Sequence, residues 1–435
     1  MTAQILQLPG PGFEPTDIGN AELFAKLHGQ HARFVVGIGW LLYDGLRWQP
    51  DKSNQILSLA KLAVKEIADL EWRQKSQTFG RLRSMVKLAQ PEMTTDGYQF
   101  DRDPWLLNCM NGTVDLRTGD IHDNNLKDLI TKLVPLDYDP EASAPLWSEF
   151  LAQVLPDSEL RAYVQRAVGY SLTGRVDEQV LFFCLGKGRN GKSVFLETLQ
   201  EMVADYGCNT PTSTVLTKSR GIPNDIARLR GSRFVTLSET GQDQKFDEPK
   251  LKDMTGGDTV SARFLRKEFF DFKMAGKLWL RGNHQPVITG LDDGIWRRFH
   301  VVPFDVQIHE ADVDKKLPDK LREELPGILT WAIQGAMLWN DVSLKAPEIV
   351  TEAVQQYRKD SDVIGQFIEA HCIIGPEYKV AATTLYQSFR EFAKQNGEKV
   401  ISQTEFGRSL GNRGFKKKHS GITYRCGLTL EQLEQ

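Results

Sequence analysis

Residues 186–193 read Gly-Lys-Gly-Arg-Asn-Gly-Lys-Ser, a complete G-x-x-x-x-G-K-[ST] string. The apolar run Val180–Leu185 leads into it, and Phe195, Leu196, Leu199, Met202 and Val203 follow at helical spacing. Strand, loop and helix in this order constrain the fold to an α/β architecture whose phosphate loop sits at the end of a buried strand. Gly186, Gly188 and Gly191 let backbone N–H groups close around phosphate oxygens, with Lys187, Arg189 and Asn190 between them. The new helix directs its positive end at the same anion. Lys192 is placed to reach the β- and γ-phosphates, and the Ser193 hydroxyl to ligate Mg²⁺. A glycine-rich turn that binds nothing is the bland alternative, and the flanking strand and helix weigh against it.

Later apolar runs end in polar residues. Phe234–Leu237 is followed by Ser238 and Glu239, Leu278–Leu280 lies just before Asn283, and Phe299–Phe304 follows Arg297 and Arg298. Short strands separated by helical or looped segments predict a parallel sheet with its working edge at the strands' C-terminal ends. At such an edge Glu239 would hold the Mg²⁺ water shell and orient an attacking water. Asn283 would polarise a water or touch the γ-phosphate. Arg297 or Arg298, supplied across a subunit boundary, would neutralise charge on the departing phosphoryl group. Taken singly, these are equally a surface carboxylate, a turn residue and a solvated charge pair. Between them, two β-rich pieces flank Arg266-Lys267-Glu268 and predict a hairpin with a basic tip. In a ring such tips would grip a single strand, with Phe269 or Phe270 available for stacking; the alternative is a solvated edge over core phenylalanines.

At 435 residues and net charge −3, the chain has room for several domains and no global attraction to polyanions, so nucleic-acid contacts must come from local basic patches. No apolar stretch approaches the ~18 residues of a membrane span, and the N-terminus does not read as a signal peptide. Cys109, Cys184, Cys208, Cys372 and Cys426 stand singly, which fits a reducing cytoplasm rather than a zinc site or disulfide framework. His28 and His31 lack a third ligand. The division expected is a flexible stretch 1–15, an α+β module 16–140, a helical linker 141–172, a core 173–310, a helical segment 311–375 and a terminal unit 376–435. The module holds a hairpin turn at Gly45–Trp48, a helix over Ile56–Leu70 and a turn-strand-turn at Asn111–Gly119. The linker reads as helical from Trp147 to Leu172. In the last unit, Ser402-Gln-Thr-Glu405 is a capping box opening a second helix, followed by a basic hairpin. Helix, helix and hairpin is a winged helix-turn-helix pattern; Lys416, Lys417 and Lys418 would touch DNA phosphates or be a solvated turn.

The ordered set Gly186–Ser193, Ser238-Glu239, Lys252–Asp258 with Ala262-Arg263, Leu280–Pro286 and Trp296–Phe299 resembles the motifs of superfamily 3 helicases, and within them the satellite-phage and plasmid primase-helicase group. Thr16–Asn20, Tyr43–Gly45 with Trp48, and Asn111–Gly119 resemble that group's poxvirus-type N-terminal module. The resemblance implies an AAA+ core between that module and a C-terminal winged helix, in a homohexameric ring that hydrolyses ATP with Mg²⁺ and translocates on single-stranded or forked DNA. It further implies roles for Lys192 (phosphates), Ser193 (Mg²⁺), Glu239 (metal and water), Asn283 (sensor), Arg297 or Arg298 (finger), and Arg266 and Lys267 (DNA). The setting implied is replication of a phage, plasmid or other mobile element in a bacterial cytoplasm, with a separate primase among the partners and no membrane. Two departures stand out. Ser238 replaces the first of two acids that many members carry, and only about fifteen residues precede the module, which predicts no priming activity in this chain. A nucleotide-switched initiator or loader with little turnover is the alternative function.

Overall fold

The computed structural model describes residues 13–217, 224–238, 244–263, 269–288 and 293–431. The first helix, Asp17–His28, is capped by Thr16, whose hydroxyl accepts from Gly19 N at 3.0 Å. Strands β1 (Ala32–Val35), β2 (Gly39–Tyr43) and β3 (Trp48–Pro50) follow as an antiparallel sheet. The expected turn lies between β2 and β3, where the Asp44 carboxylate accepts from Leu46 N and Arg47 N, both at 2.8 Å. The single helix expected over Ile56–Leu70 is instead two, Gln55–Lys65 and Leu70–Ser76. Asp69 explains the break, because its carboxylate accepts from Trp72 N at 2.8 Å and starts a new helix. A further helix, Phe79–Leu88, completes a bundle whose core holds Phe24, Ala60, Val64, Leu82 and Met85.

Strands β4 (Leu106–Cys109), β5 (Gly112–Asp115) and β6 (Ile121–His122) form a second antiparallel sheet. Its Leu107 and Val114 do not join the first core. They bury with Trp147, Tyr163, Phe195 and Trp279, so this half of the N-terminal part shares its interior with the central sheet. The helix expected over Trp147–Leu172 is also divided, into Pro145–Val154 and Ser158–Leu172. Pro156 lacks a donor to continue the ladder, and Asp157 accepts from Leu160 N at 2.7 Å to start the second piece. That second helix crosses Leu325–Val342 at glycines: a Cβ on Gly169 would lie 2.0 Å from Ala336 N, and one on Gly335 would lie 2.2 Å from Gln165 O. Backbones meet there with no room for a methyl group.

The central sheet has five parallel strands: β7 (Leu181–Leu185), β8 (Gly207–Thr210), β9 (Phe234–Leu237), β12 (Lys277–Gly282) and β13 (Phe299–Pro303). Their order is β13-β7-β12-β9-β8, which confirms the α/β core. Both faces of the sheet are covered, so its strands read as unbroken apolar runs. Trp279 stacks between Phe182 and Phe234, with ring centroids 4.3 and 5.4 Å away. Two buried cations anchor the N-terminal edge. Arg233, just before β9, donates to the carbonyls of Leu106 and Leu172, each at 2.9 Å. Lys277, opening β12, donates to those of Thr173, Arg175 and Ala275. Between β9 and β12 lie β10 (Thr259–Ala262) and β11 (Phe270–Lys273), an antiparallel pair with Ala262 opposite Phe270.

The C-terminal unit runs Val363–His371 (helix), β14 (Cys372–Ala381), Ala382–Gln395 and Gln403–Asn412 (helices), β15 (Lys417–Ser420) and β16 (Ile422–Leu430). The strands order β14-β16-β15 over a separate core of Phe367, Leu385, Phe389, Phe406 and Leu410. Ser402 caps its helix as its motif requires, accepting from Glu405 N at 3.2 Å. No helix among the described residues is long and apolar enough to cross a membrane.

Candidate nucleotide site

β7 delivers the phosphate loop to the C-terminal edge of the sheet, and the Lys192–Val203 helix starts directly after it. The loop needs its glycines. Gly188 and Gly191 have φ of +91° and +82°, the left-handed region that side chains resist. A Cβ on Gly186 would lie 2.2 Å from the Phe304 carbonyl oxygen. Lys192 is 4% exposed, and its ammonium donates to Gly186 O (2.6 Å), Asn190 Oδ1 (3.0 Å) and Asn283 Oδ1 (3.2 Å). Asn190 Nδ2 donates in turn to Phe304 O at 2.8 Å. Loop, β12 end and β13 end are thereby tied around one cation. Beneath them burial pushes the Cys184 thiol far up, with Lys192 pulling the other way, so it stays protonated.

A cavity of about 460 Å³ opens over this cluster, lined by Gly188 through Val194 and by Asn283. Its volume falls within the range of small-molecule sites. Ser193 is exposed at its edge, and Lys187 and Arg189 are exposed on the loop, the latter 3.3 Å from Glu310. Glu149, Phe150 and Gln153 of the Pro145–Val154 helix form one wall, and Ile308, Val313 and Leu317 the other. None of these six carries a local signal in the sequence, because the wall exists only once distant segments pack. Loop N–H groups, a buried lysine and a serine hydroxyl suit a polyphosphate and its Mg²⁺.

β9 lies two strands from β7 with β12 between, so Ser238 ends at the same edge as Asn283. Glu239 lies outside the described residues, as do Arg266 and Lys267 between β10 and β11. The two arginines separate cleanly. Arg298 is 8% exposed and donates to Gln179 O (3.3 Å) and Thr255 Oγ1 (3.1 Å). Burial, and then the neighbouring Arg297 charge, pull its pKa down. Arg297 is exposed, touches Gln179 Oε1 at 3.3 Å, and lines a cavity of about 340 Å³ with Asp293 and Arg358. Both precede β13, whose Phe299 pairs with Leu181 at the start of β7. They therefore sit at the opposite edge from the phosphate loop, roughly 20 Å away at the rise of a strand and beyond an arginine's reach. Lys416, Lys417 and Lys418 are all exposed at the β15–β16 hairpin, with Lys417 opposite Arg425. His28 packs on Phe24 at 5.1 Å between ring centroids, and among the described residues no cluster of three or more acidic, His or Cys side chains could hold a metal.

Residues 21–156 match the family described as D5 N terminal like, and residues 184–298 match a family of unknown function. A protein of Acanthamoeba polyphaga mimivirus named "Putative helicase" is 29% identical over 68% of this chain and 34% of its own length. One of Frog virus 3 with the same designation is 28% identical over 66% of this chain and 30% of its own. A protein of African swine fever virus named "Putative primase" is 23% identical over 78% of this chain and 37% of its own. The chain thus spans about a third of the length of these relatives. The solved C-terminal region of NrS-1, in its apo form, covers 93% of this chain and 98% of its own with a TM-score of 0.56 at 13% identity, a likeness of fold alone. Residues 21–156 thus carry a D5-like N-terminal match, and the chain, with its phosphate loop on a parallel sheet, is similar to viral proteins named as helicases and primases.

Proposed function

We propose that this chain is the ATP-hydrolysing motor of a superfamily 3 DNA helicase that replicates a virus, phage, plasmid or related element. The observation that carries the reading is the split between sheet edges. Lys192, Ser193 and Asn283 gather at one cavity, while the exposed Arg297 stands at the far edge, out of reach of its own subunit's phosphate loop. A closed ring, with six subunits implied by the family resemblance, gives every subunit one complete site. In it Lys192 holds the β- and γ-phosphates, Asn283 orients the γ-phosphate or its water, and Glu239 polarises the attacking water. Ser193 would hold Mg²⁺, which would supply charge neutralisation at the phosphates. Arg297, rather than the internally bonded Arg298, serves as the finger. Arg266 and Lys267 between β10 and β11 grip single-stranded DNA. The terminal helices with the β15–β16 hairpin act as a winged helix presenting Lys416–Lys418 to phosphates.

Steady-state ATP hydrolysis with and without single-stranded DNA tests this, with Lys192→Ala as the blank. Stimulation by single strands, absent from the variant, is the expected result. ATP-dependent DNA binding without turnover would replace the motor by a nucleotide-switched initiator.

A further inference from the structure

The outer face of the Phe79–Leu88 helix is unlike an ordinary solvated helix surface. Leu82, Met85 and Val86 turn inward, 6%, 0% and 7% exposed, against the Asp17–His28 and Gln55–Lys65 helices. Phe79, Arg83 and Lys87 recur every fourth residue along the flank of that buried face, and all three are exposed. At 1.5 Å per residue they form a ridge about 12 Å long. Phe79 is 64% exposed, and the Arg83 guanidinium lies 5.4 Å from its ring centroid. The next position is open too: a Cβ on Gly80 would meet nothing within 4 Å. Neither Arg83 nor Lys87 has an acidic partner among the described residues, whereas neighbouring cations are engaged, Arg81 near Asp17 at 3.7 Å and Lys75 with Glu71. Charge is concentrated here as well. Residues 55–88 hold seven Lys and Arg against three Asp and Glu, in a chain whose net charge is −3.

We propose that the Phe79–Arg83–Lys87 ridge is a binding site for single-stranded DNA, separate from the β10–β11 hairpin and the β15–β16 hairpin. An exposed aromatic flanked by cations offers a base a stacking platform and its adjoining phosphates two counter-charges. Duplex DNA offers no free base face to Phe79. A second copy of the same ridge would set like charges against each other, which disfavours self-association through it. The ridge extends the motor reading without depending on it, because strand capture by the N-terminal module requires no ATP turnover. Its position there lets that module hold the strand outside the nucleotide-bearing sheet.

The test is fluorescence anisotropy of a labelled oligo(dT) on the full chain without nucleotide, across a salt series. Phe79→Ala should weaken binding about 5- to 150-fold, the equivalent of one lost stacking contact, while Phe79→Tyr retains it. Arg83→Ala with Lys87→Ala should lower the salt slope by about 1.4, two phosphates' worth for a single strand. DNA binding is read here without nucleotide and ATP hydrolysis is read separately, so failure of the motor reading and failure of the ridge are distinguishable. Unchanged affinity in Phe79→Ala together with an unchanged salt slope in the double variant overturns the proposal. So does a shift in oligomeric state with DNA affinity intact, which would make the ridge a protein interface.

Discussion

Gly191→Ala probes how the phosphate loop is seated. Gly191 has φ +82° and ψ −7°, and a Cβ there would lie 2.6 Å from Val154 Cγ1 and 3.1 and 3.2 Å from two Phe150 ring atoms. Val154 and Phe150 are 0% and 2% exposed, so neither can swing into solvent to make room. Two costs add: about 1–2 kcal/mol for a left-handed alanine and about 1–3 kcal/mol for overpacking. Gly188→Ala carries only the first, since its φ is +91° but nothing lies within 4 Å of the added methyl group. Removing the obstacle with Val154→Ala should therefore rescue part of the Gly191→Ala loss, giving a coupling of about 1–3 kcal/mol between two residues in contact. Urea unfolding of the parent, the two single variants and the double variant, without nucleotide, measures that coupling. Binding of a fluorescent ATP analogue should fall in Gly191→Ala and recover in the double variant. Equal losses for Gly188→Ala and Gly191→Ala, or strict additivity with Val154→Ala, would refute the seating argument.

Three further outcomes follow from the same geometry. On the proposed reading Arg297→Ala keeps ATP binding but lowers turnover by about a thousandfold or more. Arg298→Ala instead lowers stability in urea unfolding, by about 1–3 kcal/mol for the lost hydrogen bonds to Gln179 and Thr255, and a parallel pair of ATPase and unfolding measurements separates the two. His300, which hydrogen-bonds the buried Tyr163 hydroxyl, has its pKa lowered by burial to about 4 from the usual 6.5. The unfolded chain thus binds the extra proton between those values: stability is full above pH 6.5 and falls as pH drops toward 4, by about 3 kcal/mol in total. Comparing urea midpoints at pH 7.5 and 4.5 in the parent and in His300→Gln should show a steeper fall in the parent. Gly169→Ala, forcing a methyl group onto the Ala336 backbone at 2.0 Å, should cost more than about 4 kcal/mol, and shows as a collapse of the thermal midpoint.

What the sequence makes legible here is what repeats locally. The strand-loop-helix around Gly186–Ser193, the strands ending at Ser238 and Asn283, and the cap at Ser402 are all written in contiguous residues. Helix breaks at Asp69 and Asp157 are written too, since each aspartate is a good cap, yet the apolar periodicity running through both points masks them. β8 and β14 carry weak apolar patterns: Gly-Cys-Asn-Thr becomes a strand because it borders β9, not because of its own composition. The nucleotide cavity's walls are less legible still. Phe150 and Gln153 face the loop only because the Pro145–Val154 helix lies against it, and that contact joins segments some forty residues apart. Arg297 and Arg298 are adjacent in sequence and chemically identical, and burial alone tells them apart.

On the proposed reading, the different settings of Arg297 and Arg298 require a second subunit. A parallel sheet gives every strand a polarity, so residues that precede strands and residues that follow them are held at opposite edges by the strand's own length. Here the phosphate loop follows β7 and Arg297 precedes β13, and the register Phe299 to Leu181 and Pro303 to Leu185 fixes the separation. No side-chain rearrangement within one subunit closes a gap of roughly 20 Å along the strand; on the proposed reading a second subunit facing edge to edge does so. Buried Arg233 and Lys277 stiffen the edge that would face the neighbour, because each cation clamps carbonyls of the 103–106 or 172–175 segments onto the start of its strand. β12, which begins at Lys277, ends at Asn283 beside Lys192. One strand thus joins Lys277 at one sheet edge to Asn283 at the other, the edge where the proposed reading seats the nucleotide.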